Sequence, residues 1–588
     1  MRNLALVLIT MVTILISFGE SAAQSSQMAR VAEIGPVAQL GGTLSGKVIA
    51  PKEFKAAQVY ARNIDRNVMY MVYTSGGSYR FMHLFPGSYE VSVYKNGFTS
   101  KEIQKIDVAA GKSGIVNFDL QEGVHVPNQR TQLEYPRNLK FLPYDTVYPP
   151  GPGRDIVQNC LVCHGPDWIP QKHWSADVWN VAIDDMIARG NVRSPGSFSA
   201  AERKVLVDYL AQNFGPHSEA RGVAEPDIEV DEKELSKAMF VEYRLPPLPK
   251  GHHVENSGNA DEGDTPQGAC TDCGDRRLHD PHIGNDGNVW YADQAGIVIG
   301  RVDPRTAKFR DYPITDPQAA PHGLTMDQKG QIWFTSSKAL GKLDPKTGNM
   351  ELYSRPDIRS AGNTPTIESN GNVWYTGGVS EIAKLDIETR KVSWFKTPSF
   401  EPQPYGMVTD KNDNLWFAEL AQCKVVRFDP VQERFTEFSP PYPDKPCTIR
   451  RLSFDHDGTL WYGLAGMVNG FAHIGKMDPN TSRVVEYAMP YMFSYPYDIQ
   501  PDPENNMWVT DAGQGGALVK FDRKTEKFIY FPMPQYTDMP KLEVTKDGAV
   551  WYTTRSGSSK TMAIGVLFPD MEKIKSFAAY NQLRPGYY

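Results

Sequence analysis

Cys160, Cys163 and His164 stand in the run C-L-V-C-H, two thiols three positions apart with an imidazole directly after the second. That spacing lets both thiols form thioether links to the vinyl groups of a porphyrin and leaves the imidazole facing its iron, so one covalent haem c is the expected cofactor. A redox dithiol would want a strand–helix–strand setting, and a zinc pair would want two further ligands nearby; the surrounding sequence offers neither. His164 is one expected iron ligand. Met186, the only methionine between Cys160 and Val230, is the other, with His173 and His217 as alternatives. A thioether on the far side raises the potential and closes the coordination sphere, which suits electron transfer.

A second set of polar residues heads a repeat. Trp290, Trp333, Trp374, Trp416, Trp461, Trp508 and Trp551 recur at a period of about 40 residues, each between a hydrophobic residue and an aromatic residue or Val. Eleven positions before each Trp stand His279, His322, Asn363, Tyr405, Arg450, Tyr497 and Pro540, and three positions after it stand Asp293, Ser336, Gly377, Glu419, Leu464, Asp511 and Thr554. Four short strands per repeat, arranged radially, make a β-propeller, and seven anchors make seven blades. Both sets are expected at one mouth of the central channel, where propeller ligands usually bind. His279, His322, Glu419 and Arg450 are the candidate catalytic residues, with His282 an alternative to His279. A polar mouth without chemistry is the other reading.

The remaining cysteines are less specific. Cys270 and Cys273 lie in G-A-C-T-D-C-G with no following His; an oxidised pair is the first reading and a metal site with His252 or His253 the second. Cys423 and Cys447 are candidates for a bridge between neighbouring blades.

Positioning these groups takes a chain of 588 residues, too long for one core. A short positive start, an apolar run from Leu4 to Phe18 and Ser21-Ala22-Ala23 read as a secretory signal over 1–23. No other segment is long and apolar enough to span a bilayer, so the expected location is periplasmic or secreted, with no membrane span after cleavage. The net charge of −7 shows no large basic field, which argues against nucleic acid as partner. The expected fold class is mainly β and multidomain: a β-sandwich over 38–120, a linker over 121–152, a small all-α haem domain over 153–217, a linker over 218–276 and the propeller over 277–582. Within the second linker, Phe240–Pro246 reads like the tail of a repeat that could close the propeller. Val178, Ile183, Met186 and Ile187 recur at helical spacing, and Ser199-Ala200-Ala201-Glu202 is a capping box.

Three resemblances follow from these motifs. The stretch G-S-Y-R-F-x-x-L-F-P-G-S-Y-E-V at Gly77–Val91, with Gly97-Phe98 after it, resembles the carboxypeptidase regulatory-like domain, a spacer or binding module. The order C-L-V-C-H, Met186, capped C-terminal helix resembles class I cytochrome c domains, in which a Met in that place is the distal ligand. The text P-x-G-Φ, D-x-x-G-x-Φ-W, Φ-G-+-Φ-D-P and E-Y/F-x-Φ-P, over about 300 residues, resembles the streptogramin B (virginiamycin B) lyase family of seven-bladed propellers. That last resemblance implies two His from P-H-x-Φ turns, a nearby Glu and a bound magnesium ion, so a divalent metal at the propeller is the additional cofactor it suggests. The family's acid shares a blade with one His, whereas Glu419 stands two blades beyond His322. The leading expectation is therefore an exported haem protein whose propeller binds or oxidises a small molecule and passes electrons to or from a partner such as another cytochrome. A streptogramin-type lyase and a binding scaffold with a haem relay are the alternatives.

Overall fold

In the computed structural model each repeat tryptophan lies on the second strand of a four-stranded antiparallel blade and is almost wholly buried. The structure describes residues 41–100, 103–123, 140–164, 169–188, 199–223, 228–248 and 276–579, the last apart from breaks at 355–361, 379, 401, 442–446, 469–470, 493, 514–515, 536, 538 and 556–561. The signal segment, the middle of the first linker, and His252, His253, Cys270 and Cys273 lie outside these residues. Blades 1 to 6 span 278–313, 321–354, 365–396, 404–438, 447–492 and 496–532. Blade 7, at 542–568, has three strands of its own and takes its fourth, Met239–Arg244, from ahead of the repeat. Among the described residues no helix is long and apolar enough to cross a membrane.

The repeat motif is explained by its contacts. Aspartates six residues before Trp333, Trp416 and Trp461 accept the indole N–H at 3.0, 3.0 and 2.8 Å, so a buried donor is satisfied. The glycine of Φ-G-+-Φ-D-P makes room for the aromatic residue after the Trp. A Cβ at Gly300, Gly341, Gly475 or Gly565 would sit inside the ring of Tyr291, Phe334, Tyr462 or Tyr552.

The closing strand does more than the sequence suggests. Its other edge pairs antiparallel with Val68–Tyr73 of the sandwich, so blade 7 and one sandwich sheet form a single eight-stranded sheet. The opposing sandwich sheet is built around Gly42–Ile49. Met239, Val241 and Tyr243 face an apolar cluster shared by the sandwich and blades 1 and 7, while Phe240 faces a second cluster with Trp508 of blade 6.

Glu242, on the Phe240 face, is buried and accepts from Tyr552 at 3.1 Å and Gln535 at 3.0 Å. Burial pushes its carboxyl up to about 7, against the opposing pull of Arg244 and these donors. A raised folded pKa means the folded state holds the proton longer, so stability is fullest below about 4.5 and falls as pH rises to about 7. Glu242→Gln is expected to match the parent protein near pH 4 and to exceed its stability by about 3 kcal/mol above pH 7, as read by urea unfolding across that range. Equal pH slopes for the two proteins would remove the assignment.

The helical unit consists of α1 (Pro152–His164), α2 (Ala176–Ala188) and α3 (Ala200–Asn213). The capping box forms at Ser199 and Glu202. Gly153 lets α1 approach α3, because a Cβ there would collide with Tyr209. The unit is wider than the expected 153–217: Lys140–Leu142 pairs in parallel with Arg221–Val223, and Val147 and Tyr148 are buried in its cluster. The end of the expected linker, from Lys140 on, thus belongs to this unit. Cys423 and Cys447 form a disulfide that ties blade 4 to blade 5.

Candidate functional site

The innermost strands carry their polar residues at a shared irregularity. In blades 1, 2, 4, 5 and 6 the pairing with the second strand slips, after Leu278, Pro321, Pro404, Ile449 and Pro496. Such bulges re-aim side chains. Here they converge His279, His322, Tyr405, Arg450, Arg451 and Tyr497.

His279 and His322 lie ring against ring, with centroids 3.6 Å apart, and both are buried. His279 Nδ1 lies 2.8 Å from Asp280 Oδ1. Burial alone would raise the Asp280 carboxyl, but Arg451 and Lys541 outweigh it and hold it well below its ordinary range. Asp280 is therefore an anion, bound by Arg451 Nη2 at 2.6 Å. A carboxylate behind an imidazole fixes its tautomer and strengthens the far nitrogen as a base.

Burial, and then the adjacent His279, lower the His322 pKa well below its ordinary value, so His322 is neutral near pH 7. Its Nδ1 lies 2.8 Å from the Asn363 carbonyl, which can only accept, so Nδ1 carries the proton. Nε2 must then accept, and it does so from the Tyr405 hydroxyl at 3.2 Å. Tyr405 accepts in turn from Tyr497 at 2.5 Å, and Tyr497 from Arg450 Nη1 at 3.2 Å. Arg450 Nε also donates to the Tyr495 hydroxyl. Arg450 and Tyr495 are half-buried, whereas Tyr497, Tyr405 and both His are buried. A hydrogen-bond chain of fixed polarity thus runs from the mouth to the histidine pair.

Of the four candidate residues, the structure brings together His279, His322 and Arg450. Glu419 lies elsewhere, beside Ser399, Glu437 and Lys424, and burial pushes its carboxyl up to about 7. Its position in the repeat is a turn position: Asp293 accepts from the backbone of Arg277 and Gly296, and Asp511 from that of Tyr495 and Gly513. His282 faces Glu543 at 3.0 Å rather than the His279–His322 pair. The sequence reading missed Asp280, Arg451, Tyr495 and Lys541.

The divalent-metal expectation does not fit these residues. Both His322 nitrogens are engaged, Glu419 is remote, and among the described residues no group of three or more His, Cys, Asp or Glu is placed to hold an ion. The haem expectation is compatible with the helix that carries the motif. C-L-V-C-H occupies the last turn of α1, where positions i and i+3 lie on one side of the helix, and Cys160 is half-buried against the helical unit's apolar cluster. The side chains of Cys163, His164 and Met186 lie outside the described residues. His173 is exposed, 3.0 Å from the Ser218 hydroxyl, and His217 is also exposed.

A bladed wheel sharing a sheet with a β-sandwich is thus the architecture that carries the site. The virginiamycin B lyase family matches residues 281–513 and 391–569, and the carboxypeptidase regulatory-like domain matches 43–121. The propeller and the sandwich therefore carry the sequence patterns of those two groups. Similar solved structures include virginiamycin B lyase from Staphylococcus aureus, 20% identical, covering 50% of this chain and 95% of that one at a TM-score of 0.45. A streptogramin B lyase is 20% identical over 56% and 97%, with a TM-score of 0.45, and the WD40 propeller domain of Doa1 is 12% identical over 51% and 95%, with a TM-score of 0.41. No curated protein matches the chain.

Proposed function

We propose that the chain is an exported electron-transfer protein. A single haem c, tethered by Cys160 and Cys163 with His164 and Met186 on its iron, serves a small molecule held at the propeller mouth by Arg450, in front of the buried His279–His322 pair. The observation that carries this reading is the C-L-V-C-H run ending α1, with Cys160 at the rim of an apolar cluster closed by α2 and α3. When bound, the haem supplies one-electron redox chemistry. The propeller's part is proton handling. A proton from the guest, oriented by Arg450 at the mouth, passes along the Tyr497–Tyr405 chain to neutral His322, against which His279 and the Asp280 anion stand. A partner such as another cytochrome carries the electron onward in the periplasm or outside the cell.

The test is the intact mass and alkaline pyridine spectrum of full-length protein exported from a host that matures c-type cytochromes. One added haem is expected, lost in Cys160→Ala/Cys163→Ala. A bare polypeptide mass from that host would overturn the reading.

The stacked histidines favour one second reading, proton abstraction leading to elimination, with His279 as base. Turnover of a cyclic depsipeptide that survives in the cysteine variant would select it.

A further inference from the structure

Blade 5 is built differently from its neighbours. Its second strand, Leu460–Val468, and outer strand, Val484–Met492, are nine residues each, against five in blade 4. The extra length reaches the helical unit, where α1 packs against Leu460–Val468. The end of the outer strand goes further. Met492, paired with Phe471, packs into the apolar cluster of the helical unit, and among the described residues it is the one member from outside 140–223. Cys160 sits on the rim of that same cluster. Tyr491 fixes the strand end, its hydroxyl accepting from the Glu229 backbone at 2.6 Å and its ring meeting Tyr530 with centroids 4.8 Å apart.

We propose that Met492 is a haem-facing residue, and that the propeller rather than the helical unit supplies the wall sealing the Cys160 side of the haem pocket from water. The proposal rests on the haem reading above. A helical unit this small has few side chains with which to enclose a porphyrin, and blade 5 delivers an apolar, polarisable one to the same cluster that Cys160 borders. From Met492 the chain runs in three residues to Tyr495 and in five to Tyr497, the two tyrosines that hold Arg450. The sealed pocket and the histidine mouth are therefore joined by one short segment of blades 5 and 6, which makes Met492 a positioning residue for exchange between them.

The test uses full-length haem-loaded protein carrying Met492→Ala or Met492→Leu, with folding checked by circular dichroism. The readouts are the haem midpoint potential and the visible spectrum. Opening the wall admits water and favours the more charged ferric state, so the alanine variant is expected at a lower potential with ligation bands unchanged. Leucine refills the wall and restores the parent potential. A loaded alanine variant at the parent potential overturns the proposal. So does a leucine variant shifted as far as alanine, since that result makes the sulfur, not the wall, the active feature. A protein that carries no haem in the maturation-competent host removes the haem reading itself, whereas a loaded protein indifferent to residue 492 removes this inference alone.

Discussion

Replacing Arg451 by alanine is expected to destabilise the propeller by about 3–5 kcal/mol, the range for removing one partner of a buried ion pair. Arg451 is almost fully buried; its Nη2 binds Asp280 at 2.6 Å and its Nε donates to the Pro540 carbonyl at 3.0 Å, so one side chain ties blade 5 to blade 1 and to the segment leading into blade 7. Truncation leaves the Asp280 carboxylate buried with only Lys541, 3.9 Å away, and His279 beside it. The pH dependence identifies the cause. In the parent protein the depressed Asp280 pKa contributes stability that is present above the ordinary carboxylate value, about 3.9, and is lost as pH falls through the folded value. In the variant burial acts with little opposition, Asp280 takes up a proton more readily, and acid relieves the penalty. Parent and variant should therefore differ most near pH 7 and draw progressively together as pH falls past about 4 toward the depressed Asp280 value. Urea midpoints that differ by the same amount at both pH values would show that lost packing, not the stranded anion, is responsible.

Arg451 also shows how far the sequence could be read. The tryptophan spacing located seven blades, and counting back from each Trp reached His279, His322, Tyr405, Arg450 and Tyr497, because a period depends on one buried ring per repeat and that ring tolerates little change. Strict alternation then gives one inward residue per strand. The inner strands slip after Leu278 and Ile449, however, so Asp280 and Arg451 also turn into the channel next to the residues that counting found. A bulge has no signal in the hydrophobic pattern, and the two charges that orient the histidine pair went unseen. Glu419 was misplaced for a related reason. Its spacing from Trp416 is that of Asp293 and Asp511, whose carboxylates serve backbone N–H groups in turns, whereas the Glu419 carboxylate is buried beside Ser399, Glu437 and Lys424, and residue type at a repeat position does not tell which way the side chain turns. The closing strand was legible as a stray repeat tail. Its second pairing was not, because a strand buried on both edges reads no differently from one buried on a single edge.

That double pairing sets the other large expectation. Val241→Pro should weaken the sandwich and the propeller together. Val241 is fully buried and stands opposite Tyr70 on one side and Val566 on the other, in the interior of the eight-stranded sheet. Proline there removes a ladder donor, leaves the partner carbonyl unpaired at a cost of about 1–3 kcal/mol, and in addition sets its ring against a neighbouring strand. Val241→Ala, which keeps the ladder, should cost about 2 kcal/mol and separates the packing contribution from the backbone one. Once the closing strand is lost, both Val68–Tyr73 and Ala563–Phe568 become free edges, and free edges recruit other chains. The proline variant should therefore elute as dimers and larger species at concentrations where the alanine variant remains monomeric, and sandwich and blade 7 amides should lose hydrogen-exchange protection together. If only the sandwich amides lose protection while blade 7 keeps its own, the closing strand belongs to the sandwich and the wheel holds without it.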